Sequence, residues 1–353
     1  MTSPGLLSSM EAVTINVAAF LITLALFGVY VAALGHNVLD VFYVLWLGSF
    51  ARQISVESTL TNAAPLMLTA LCTAIPARAG LLVIGGEGAL VVGGVAAVLA
   101  GVMLTDMPFL FGVGLMSLAA ALAGGVWIGF AGALRQYRGV NETISTLLLN
   151  YIAIAVMYHL ITGPMRDWDR VLKTSSWSIP DDLRVGSVPF IDVQWGLAAG
   201  VVICLILWVI MRRTTFGFGV DVLGGNPRAA QMAGLPIDRM VVLCCFIGGA
   251  GAGLAGGFEV MAVHGFASES LVVGFGYAGI LVAFLSRQNP AAIIVLAILL
   301  GGVSASGGLL QRRFDLPDAT TQVLQGLLFL VVLASNAAYG RLNIFQPAAW
   351  RTA

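Results

Sequence analysis

The chain has 353 residues, of which 59% are hydrophobic and only 10% are charged. Soluble domains carry about 25% charged residues, so this chain has too few charges to cover a water-exposed surface. Its 17 basic and 17 acidic residues balance, which gives no indication of a nucleic-acid partner. The composition excludes a soluble enzyme and indicates lipid-facing helices, between which the 43 glycines allow close packing in a lipid bilayer.

The first apolar run, about 12–34, is too long for the hydrophobic region of a signal peptide, and the residues before it include no Lys or Arg. We therefore interpret it as a retained membrane helix. The four cysteines lie in apolar runs without a C-x-x-C motif or a His/Cys cluster. We expect them to be buried side chains, and we expect no metal site.

Ten apolar runs are candidates to cross a bilayer as helices, which takes about 20 residues each. They are 12–34, 58–76, 81–104, 109–134, 143–162, 194–211, 240–262, 276–287, 291–308 and 319–338. The eighth run is short and interrupted by glycine, which favours a half-helix. The aromatic segment 40–50 is better interpreted as an interfacial or re-entrant helix. The pattern predicts an all-α polytopic membrane protein, with residues 1–353 forming a single transmembrane domain.

The positions of Arg and Lys predict the orientation, because cytoplasmic loops carry an excess of basic residues. With a cytoplasmic amino terminus, ten arginines are inside: Arg78, Arg135, Arg138, Arg212, Arg213, Arg228, Arg239, Arg287, Arg341 and Arg351. Seven basic residues are then outside: Arg52, Arg166, Arg170, Lys173, Arg184, Arg312 and Arg313. Four of these seven lie in one long loop, so the short loops favour both termini inside.

The outside loop, 163–193, is polar and carries Trp168 and Trp177. It is either a solvated connector, a cap over a pathway or a docking surface for an external partner. Each of these alternatives stays open on the sequence alone.

The inside loop, 212–239, contains the short helix-prone stretch PRAAQMAG. Asn226 suits the position before a helix, Pro227 suits its first turn, and Gly234 suits its end. A short helix isolated between two membrane spans is not stable alone. The stretch therefore needs a partner surface on which to rest.

Two acidic residues, Glu87 and Glu259, lie inside apolar runs, where a charge costs on the order of 2.5–3.5 kcal/mol at a helix centre. Glycines flank both, so we expect broken or kinked helices at these points. Another glycine-rich interruption lies at 273–279. Interrupted spans in both halves are typical of an internal inverted repeat with a pathway between the halves. A rough pairing sets spans 2–5 against spans 7–10.

These polar residues have competing interpretations. For Glu87 there are three: the residue caps a half-helix, it faces a translocation path, or it couples transport to a proton. Glu259 is a gate residue or an ordinary interfacial charge. Glu142 follows Asn141 as an ordinary acidic residue of a first helical turn. Asn150 lies deeper in the membrane, where an amide needs a partner or a ligand.

No catalytic motif is present, and no phosphate-binding GxxxxGK[ST] loop indicates ATP hydrolysis by this chain. Several aromatic residues could stack on a planar ligand or belong to the interfacial aromatic belts. These residues are Trp127, Tyr151, Tyr158, Trp168 and Trp177.

Five segments form a recognisable set in chain order. They are GLLVIGGEGAL (80–90), VNETISTLLLNYIA (140–153), GNPRAAQMAGLPIDR (225–239), GGAGAGLAGGFEVMAVHG (248–265) and GFGYAGILVAFLSRQNP (274–290). The set resembles permease subunits of bacterial ATP-binding-cassette (ABC) importers of the nucleoside and simple-sugar group, which are related to branched-chain amino acid and ribose permeases. The resemblance covers nearly the whole chain.

The resemblance implies that the helix-prone stretch couples the chain to an ATPase. The coupling residues would be Asn226, Pro227, Arg228, Ala229, Ala230, Met232, Ala233 and Gly234. The implied partners are a tandem-domain ATPase that binds ATP and Mg, a second homologous permease, and a periplasmic binding protein or lipoprotein. The implied location is the bacterial inner membrane, and no cofactor is expected in this chain.

The resemblance also implies a solute path between the two halves near the bilayer midplane. The candidate path residues are Gly85, Gly86, Glu87, Gly88, Trp127, Asn150, Phe258, Glu259 and Phe275. Leu82, Val83 and Ala89 depart from the Phe, Asn and Gln of the family motif, which weakens the case for a nucleoside in particular. A nucleobase-like solute, a sugar or another small polar solute stays open.

The leading hypothesis is the permease of an ATP-driven importer for a nucleoside- or nucleobase-like solute. The alternatives are a simple-sugar permease and a stand-alone secondary transporter that uses a proton on Glu87. A secondary transporter has no need of the detached helix-prone stretch in the inside loop, so that loop favours the importer.

Overall fold

The computed structural model describes residues 4–104, 107–168, 174–186, 188, 192–317 and 319–336. Four basic residues of the orientation argument, Arg170, Lys173, Arg341 and Arg351, lie outside these ranges. The described residues form helices, with isolated β-bridges at Arg166–Ser176 and Ser175–Ser268. The helices are α1 Pro4–Ala33, α2 Val38–Ser49, α3 Gln53–Arg78, α4 Gly86–Met103, α5 Phe109–Arg138, α6 Glu142–Thr162, α7 Trp195–Arg213, α8 Thr215–Gly225, α9 Pro227–Met232, α10 Ile237–Phe258, α11 Phe275–Leu285, α12 Pro290–Phe314 and α13 Ala319–Asn336.

A helix occupies each of the ten predicted apolar runs, and the all-α class is confirmed. Within the described ranges, seven helices are long and apolar enough to cross a membrane: α3 to α7, α10 continued to His264, and α12. The helical pair Val17–Ala33 and Val38–Ser49 passes the same test together but is bent by 118°, which raises the number to eight. The helices at the eighth and tenth runs are shorter. Ten crossings and an inverted repeat stay predictions.

One compact unit comprises Met1–Val56 and Gly302–Ala353. In its described part, Phe27 of α1, Val41 of α2 and Leu310 of α12 belong to one buried apolar cluster. The segment 40–50 is helical as predicted, because Asn37 caps α2 by accepting the N–H of Leu39. The hydroxyl of Ser49 donates to a carbonyl of its own helix and to that of Gly302 in α12 (2.7 Å), which joins these helices.

The other unit, Glu57–Gly301, has α10 at its centre. The glycines of α10 approach three neighbours: Gly249 faces Gly124 of α5, Gly253 faces Gly93 of α4, and Gly251 faces Leu68 of α3. Side chains at these positions would meet backbone atoms of the neighbouring helices. The abundance of glycine thus allows the close backbone approach that the composition predicts.

Residues 174–186 of the outside loop are folded onto one end of this unit. Ile179 and Leu183 are buried there, beside Gly101 of α4 and Gly112 of α5. The backbone N–H of Ile179 donates to Gly265 (2.9 Å), at the end of the span formed by α10. These buried side chains and backbone hydrogen bonds show a segment packed on the protein, while a role as a cap over a pathway or as a docking surface stays a prediction.

Candidate functional site

Residues 81–84 form an extended break between α3 and α4, and side chains of α6 hold its backbone. Glu142, Thr146 and Asn150 lie four residues apart, so they share one face of α6. The N–H of Leu82 donates to Glu142 (3.4 Å), and the carbonyl of Leu82 accepts from Thr143 (3.0 Å). Two residues later, the N–H of Ile84 donates to Thr146 (3.2 Å), and the carbonyl of Ile84 accepts from Asn150 (2.9 Å). Thr73 of α3 donates to the carbonyl of Val83 (3.0 Å). These backbone groups of the break are therefore paired with side chains of the protein.

Asn150 uses both ends of its buried carboxamide. Its Nδ2 donates to the carbonyl of Ile84, and its Oδ1 accepts the N–H of Gly88 (2.7 Å). That N–H belongs to the first turn of α4, where helical donors have no partner within the helix. A Cβ at position 88 would lie 2.8 Å from Oδ1, so glycine is required for this approach. The partner that a mid-membrane amide needs is here the start of α4.

Glu87 joins α4 to the start of α11. The side chain is fully buried, and its two oxygens accept the N–H groups of Gly274 (2.8 Å) and Gly276 (2.6 Å). Gly274 has a φ of +93°, a conformation that glycine adopts without strain, and α11 begins at the next residue. The amino-terminal end of a helix dipole favours a carboxylate. This geometry matches the capping interpretation of Glu87, while its contact with a solute stays a prediction.

Glu142 has a larger role than the ordinary first-turn interpretation. Asn141 caps α6 as predicted by accepting the N–H of Ile144 (3.1 Å). Glu142 itself forms an ion pair with Arg135 of α5 (3.2 Å) and also accepts from the break at Leu82. Sequence reasoning missed this connection and the roles of Thr73, Thr143 and Thr146. The four-residue spacing of polar residues up to Asn150 is the signal that could have indicated them.

A second buried polar cluster lies where α10 ends. Glu259 begins a π-helical turn, Glu259–His264, so the predicted irregularity beside this residue is present. The Nε2 of Gln194 donates to Glu259 Oε1 (3.3 Å), and His264 Nε2 lies 3.8 Å from Glu259 Oε2. Phe258 is half-buried beside Gly196 of α7. Gln194 was missed, since a single polar residue before an apolar run carries no specific signal.

The predicted path residues therefore fall into separate groups. The first group contains Gly85, Gly86, Glu87, Gly88, Asn150 and Phe275. The carbonyl of Phe275 accepts a hydrogen bond from Thr69 of α3 (3.0 Å). The second contains Phe258 and Glu259. Trp127 belongs to neither hydrogen-bonded group, and its buried Nε1 has no partner among the described residues.

The inside loop contains the predicted short helix, α9. Asn226 caps it by accepting the N–H groups of Arg228 (3.0 Å) and Ala229 (3.3 Å), and Gly234 ends it with a φ of +74°. Within α9, the side chain of Ala230 is buried, whereas the side chain of Met232 is 86% exposed. The helix thus presents an apolar side chain to its surroundings.

The loop also contains a helix that the sequence analysis did not predict, α8. An ion pair between Arg78 at the end of α3 and Asp221 of α8 (3.2 Å) attaches it to the membrane helices. Gly224 of α8 packs against the carbonyl of Arg78. Because α8 is anchored in this way, α9 is held next to the ends of the spans.

A cleft of about 760 Å³ lies between α9 and the ends of the spans. Three arginines line it: Arg135, Arg228 and Arg239. The predicted inside residues Arg135 of α5, Arg228 of α9 and Arg239 of α10 thus lie around one cleft, and Arg78 of α3 pairs with α8 nearby. The folded outside loop lies at the opposite end of α5, where Leu183 contacts Gly112.

Comparisons with known proteins agree with this architecture. The family described as "Branched-chain amino acid transport system / permease component" matches residues 55–333. The glucose ABC transporter permease protein of Haloferax volcanii is 30% identical over 91% of this chain and 87% of its own length. The guanosine ABC transporter permease protein of Bacillus subtilis is 28% identical over 86% of this chain and 88% of its own length.

A nucleoside ABC transporter permease protein of Lactococcus lactis is 26% identical over 85% of each chain. The family match covers most of the chain, including the broken spans, the outside loop and α9. The chain is a multi-pass membrane protein and belongs to the family of ABC transporter permease components described for branched-chain amino acid transport systems.

Proposed function

We propose that this chain is the membrane permease of an ATP-driven importer for a nucleoside- or nucleobase-like solute. The observation that carries the proposal is α9, a six-residue helix that is held by α8 and exposes Met232. A helix this short is not stable without support, and it has a fixed position on the end of the spans. Such a helix is suited to transmit movement from a partner to the membrane helices.

In this proposal α9 rests on a separate ATPase subunit with two linked domains, which binds ATP and Mg and performs the hydrolysis. Closure of the ATPase displaces α9, and α8 passes the displacement to α3 through the pair of Arg78 and Asp221. A second homologous permease completes the pore. An external binding protein or lipoprotein delivers the solute to the end that carries the folded outside loop.

The choice of solute rests on the relatives. Their names specify glucose, guanosine and nucleosides. A nucleoside- or nucleobase-like solute is the leading candidate for this chain, and a simple sugar is the alternative. We place the path near the two groups that contain Glu87, Asn150 and Phe275, and Phe258 and Glu259, with Trp127 as a further candidate.

The same proposal places the chain in the bacterial inner membrane with both termini in the cytoplasm. Arg135 and Arg239, at the ends of α5 and α10, support this orientation, because both line the cleft beside α9, and Arg78 at the end of α3 pairs with α8. No cofactor is assigned to this chain.

Substitution Met232→Asp tests the coupling role of α9. A carboxylate on this exposed apolar side chain should prevent docking on the ATPase, so uptake should fall at least about tenfold, equivalent to 1.4 kcal/mol. Met103→Asp is the matched control, because Met103 is exposed at the other end of the unit, on α4. Uptake, membrane abundance and co-purification of the ATPase are measured together. Unchanged uptake by Met232→Asp, or no ATPase co-purifying with the native chain, would overturn the proposal.

A further inference from the structure

The side chain of Gln194 turns into the protein instead of capping the helix that it precedes. Gln194 stands before α7 but makes no side-chain capping bond to it. The residue is only 6% exposed, and its Nε2 donates to the carbonyl of Thr61 in α3 (2.9 Å) and to Glu259 (3.3 Å). The Oε1 of the same amide is fully buried and accepts no hydrogen bond from the described residues.

The chemistry of its neighbours fixes the orientation of this amide. Both groups near Nε2 are acceptors, a backbone carbonyl and a carboxylate. A reversed amide would place its oxygen against two other oxygens, which is unfavourable. The unpaired group is therefore the oxygen of Gln194, which requires a donor.

The carboxylate of Glu259 is the other acceptor of this cluster. A carboxylate can accept about four hydrogen bonds, and among the described residues Gln194 donates one long bond to it. His264 is the only basic residue in the described ranges that approaches it as an ion-pair partner, at 3.8 Å. Glu87, in contrast, has both oxygens bound to backbone N–H groups. A fully buried acceptor without a donor among the described residues, such as Gln194 Oε1, is uncommon in folded proteins and requires an explanation.

The surroundings combine this polar group with an aromatic ring. Gly196 allows α7 to approach closely here, since a Cβ there would lie 3.4 Å from Gln194 Oε1 and 3.1 Å from the Cβ of Phe258. Phe258 thus provides an apolar surface next to the acceptors, a combination that is typical of sites for small molecules. The π-helical turn that begins at Glu259 is of a kind found frequently at functional sites.

We propose that Gln194 and Glu259 form a solute subsite that accepts hydrogen bonds from the O–H or N–H groups of an uncharged solute. This inference rests on the proposed function. Because the site offers acceptors and a carboxylate, it favours donor-rich groups such as sugar or ribose hydroxyls and disfavours anions. The bond between the two residues links the start of α7 to the π-helical turn that follows α10.

The test uses the permease reconstituted with its ATPase, second permease and binding protein in proteoliposomes. The solute is chosen by thermal shift of the binding protein against a panel of nucleosides, nucleobases and simple sugars. Gln194→Met keeps the length of the side chain and removes both polar atoms, and Glu259→Gln keeps its shape and removes its charge. Asn62→Leu is the matched control, because Asn62 is a half-buried amide of α3 that, among the described residues, donates to the carbonyl of Ser58 in its own helix.

We expect Gln194→Met and Glu259→Gln to lower maximal uptake about tenfold while ATP hydrolysis stimulated by the loaded binding protein stays near the native rate. The control should transport normally. Analogues that each lack one hydroxyl or N–H group provide the specific readout. For the analogue that lacks the group bound at this subsite, Gln194→Met should cost less than about twofold.

Three results would overturn the inference: unchanged uptake in both variants, an equal loss for every analogue, or native uptake that requires Na⁺ or K⁺ while the Gln194→Met variant does not. The second result would indicate a purely structural pair, and the third a cation site. Failure of the proposed function is distinguishable, because it would appear as unaffected uptake in Met232→Asp or as a missing ATPase.

Discussion

Glu87 and Gly276 are 189 residues apart in the sequence, yet a carboxylate oxygen of the first accepts the backbone N–H of the second at 2.6 Å. Gly86, next to Glu87, lies against the backbone of Gly276. The starts of α4 and α11 therefore meet, and one carboxylate lies in the first turn of α4 while it caps α11. Asn150 completes the arrangement from α6.

Glu87→Gln should destabilise the protein, because an amide retains one acceptor where the carboxylate serves two N–H groups. Bonds to a charged group contribute about 1.5–3 kcal/mol each, so we expect a loss of roughly 2 kcal/mol. Thermal unfolding of the purified protein in detergent measures it. Asp182→Asn, which alters an exposed acid of the outside loop, is the control. Equal unfolding midpoints for Glu87→Gln and the native chain would contradict the capping role.

Asn150→Leu keeps the volume of the side chain and removes its hydrogen bonds to Ile84 and Gly88. The carbonyl of Ile84 and the N–H of Gly88 would then be buried without partners, at a cost of about 1–3 kcal/mol for each group. We expect a lower unfolding temperature and faster proteolysis near the break. Ile152→Ala, at an exposed position of the same helix, should change stability much less. Native-like protection in Asn150→Leu would show that the break is held by other contacts.

The sequence was sufficient to predict features that depend on neighbouring residues. The breaks beside Glu87 and Glu259 follow from glycine next to a buried charge, and the limits of α9 follow from Asn226 and Gly234. Each of these depends on local backbone chemistry.

Features that depend on tertiary packing were not predictable. Nothing local indicates that Glu87 caps a helix that begins 188 residues later, at Phe275, or that the oxygen of Gln194 is left without a donor. The sequence TFGFGVDVLGG of α8 has low helix propensity because of its glycines and β-branched residues. Its helix is supported by contacts with α3 that only the folded chain provides, such as the pair of Arg78 and Asp221.

Gly256→Ala should destabilise the packing of α10 against α4. A Cβ at this position would collide with the backbone carbonyl of Leu90, which has no freedom to rotate away. Forced overpacking costs about 1–3 kcal/mol. The control is Gly114→Ala, because a Cβ on this helical residue of α5 meets nothing within 4 Å. That substitution should be neutral or stabilising by up to about 1 kcal/mol, since alanine favours helix. If thermal unfolding showed that Gly256→Ala and Gly114→Ala change stability in the same direction, the close approach of α10 to α4 would be refuted.

Asp182→Cys and Met232→Cys should react with a membrane-impermeant maleimide from opposite sides of the membrane. Both positions are exposed, one in the outside loop and the other on α9. The four native cysteines, Cys72, Cys204, Cys244 and Cys245, are buried, so we expect them to add little background labelling.

In intact cells or spheroplasts the cysteine at 182 should be labelled, whereas the one at 232 should require permeabilisation. A permeant maleimide, applied to cells without the ATPase that would cover α9, should label both variants and controls for the reactivity of each thiol. The reverse pattern would invert the orientation and separate α9 from the cytoplasmic ATPase. Labelling of both positions from outside would place α9 and the outside loop on the same side, which contradicts their location at opposite ends of α5.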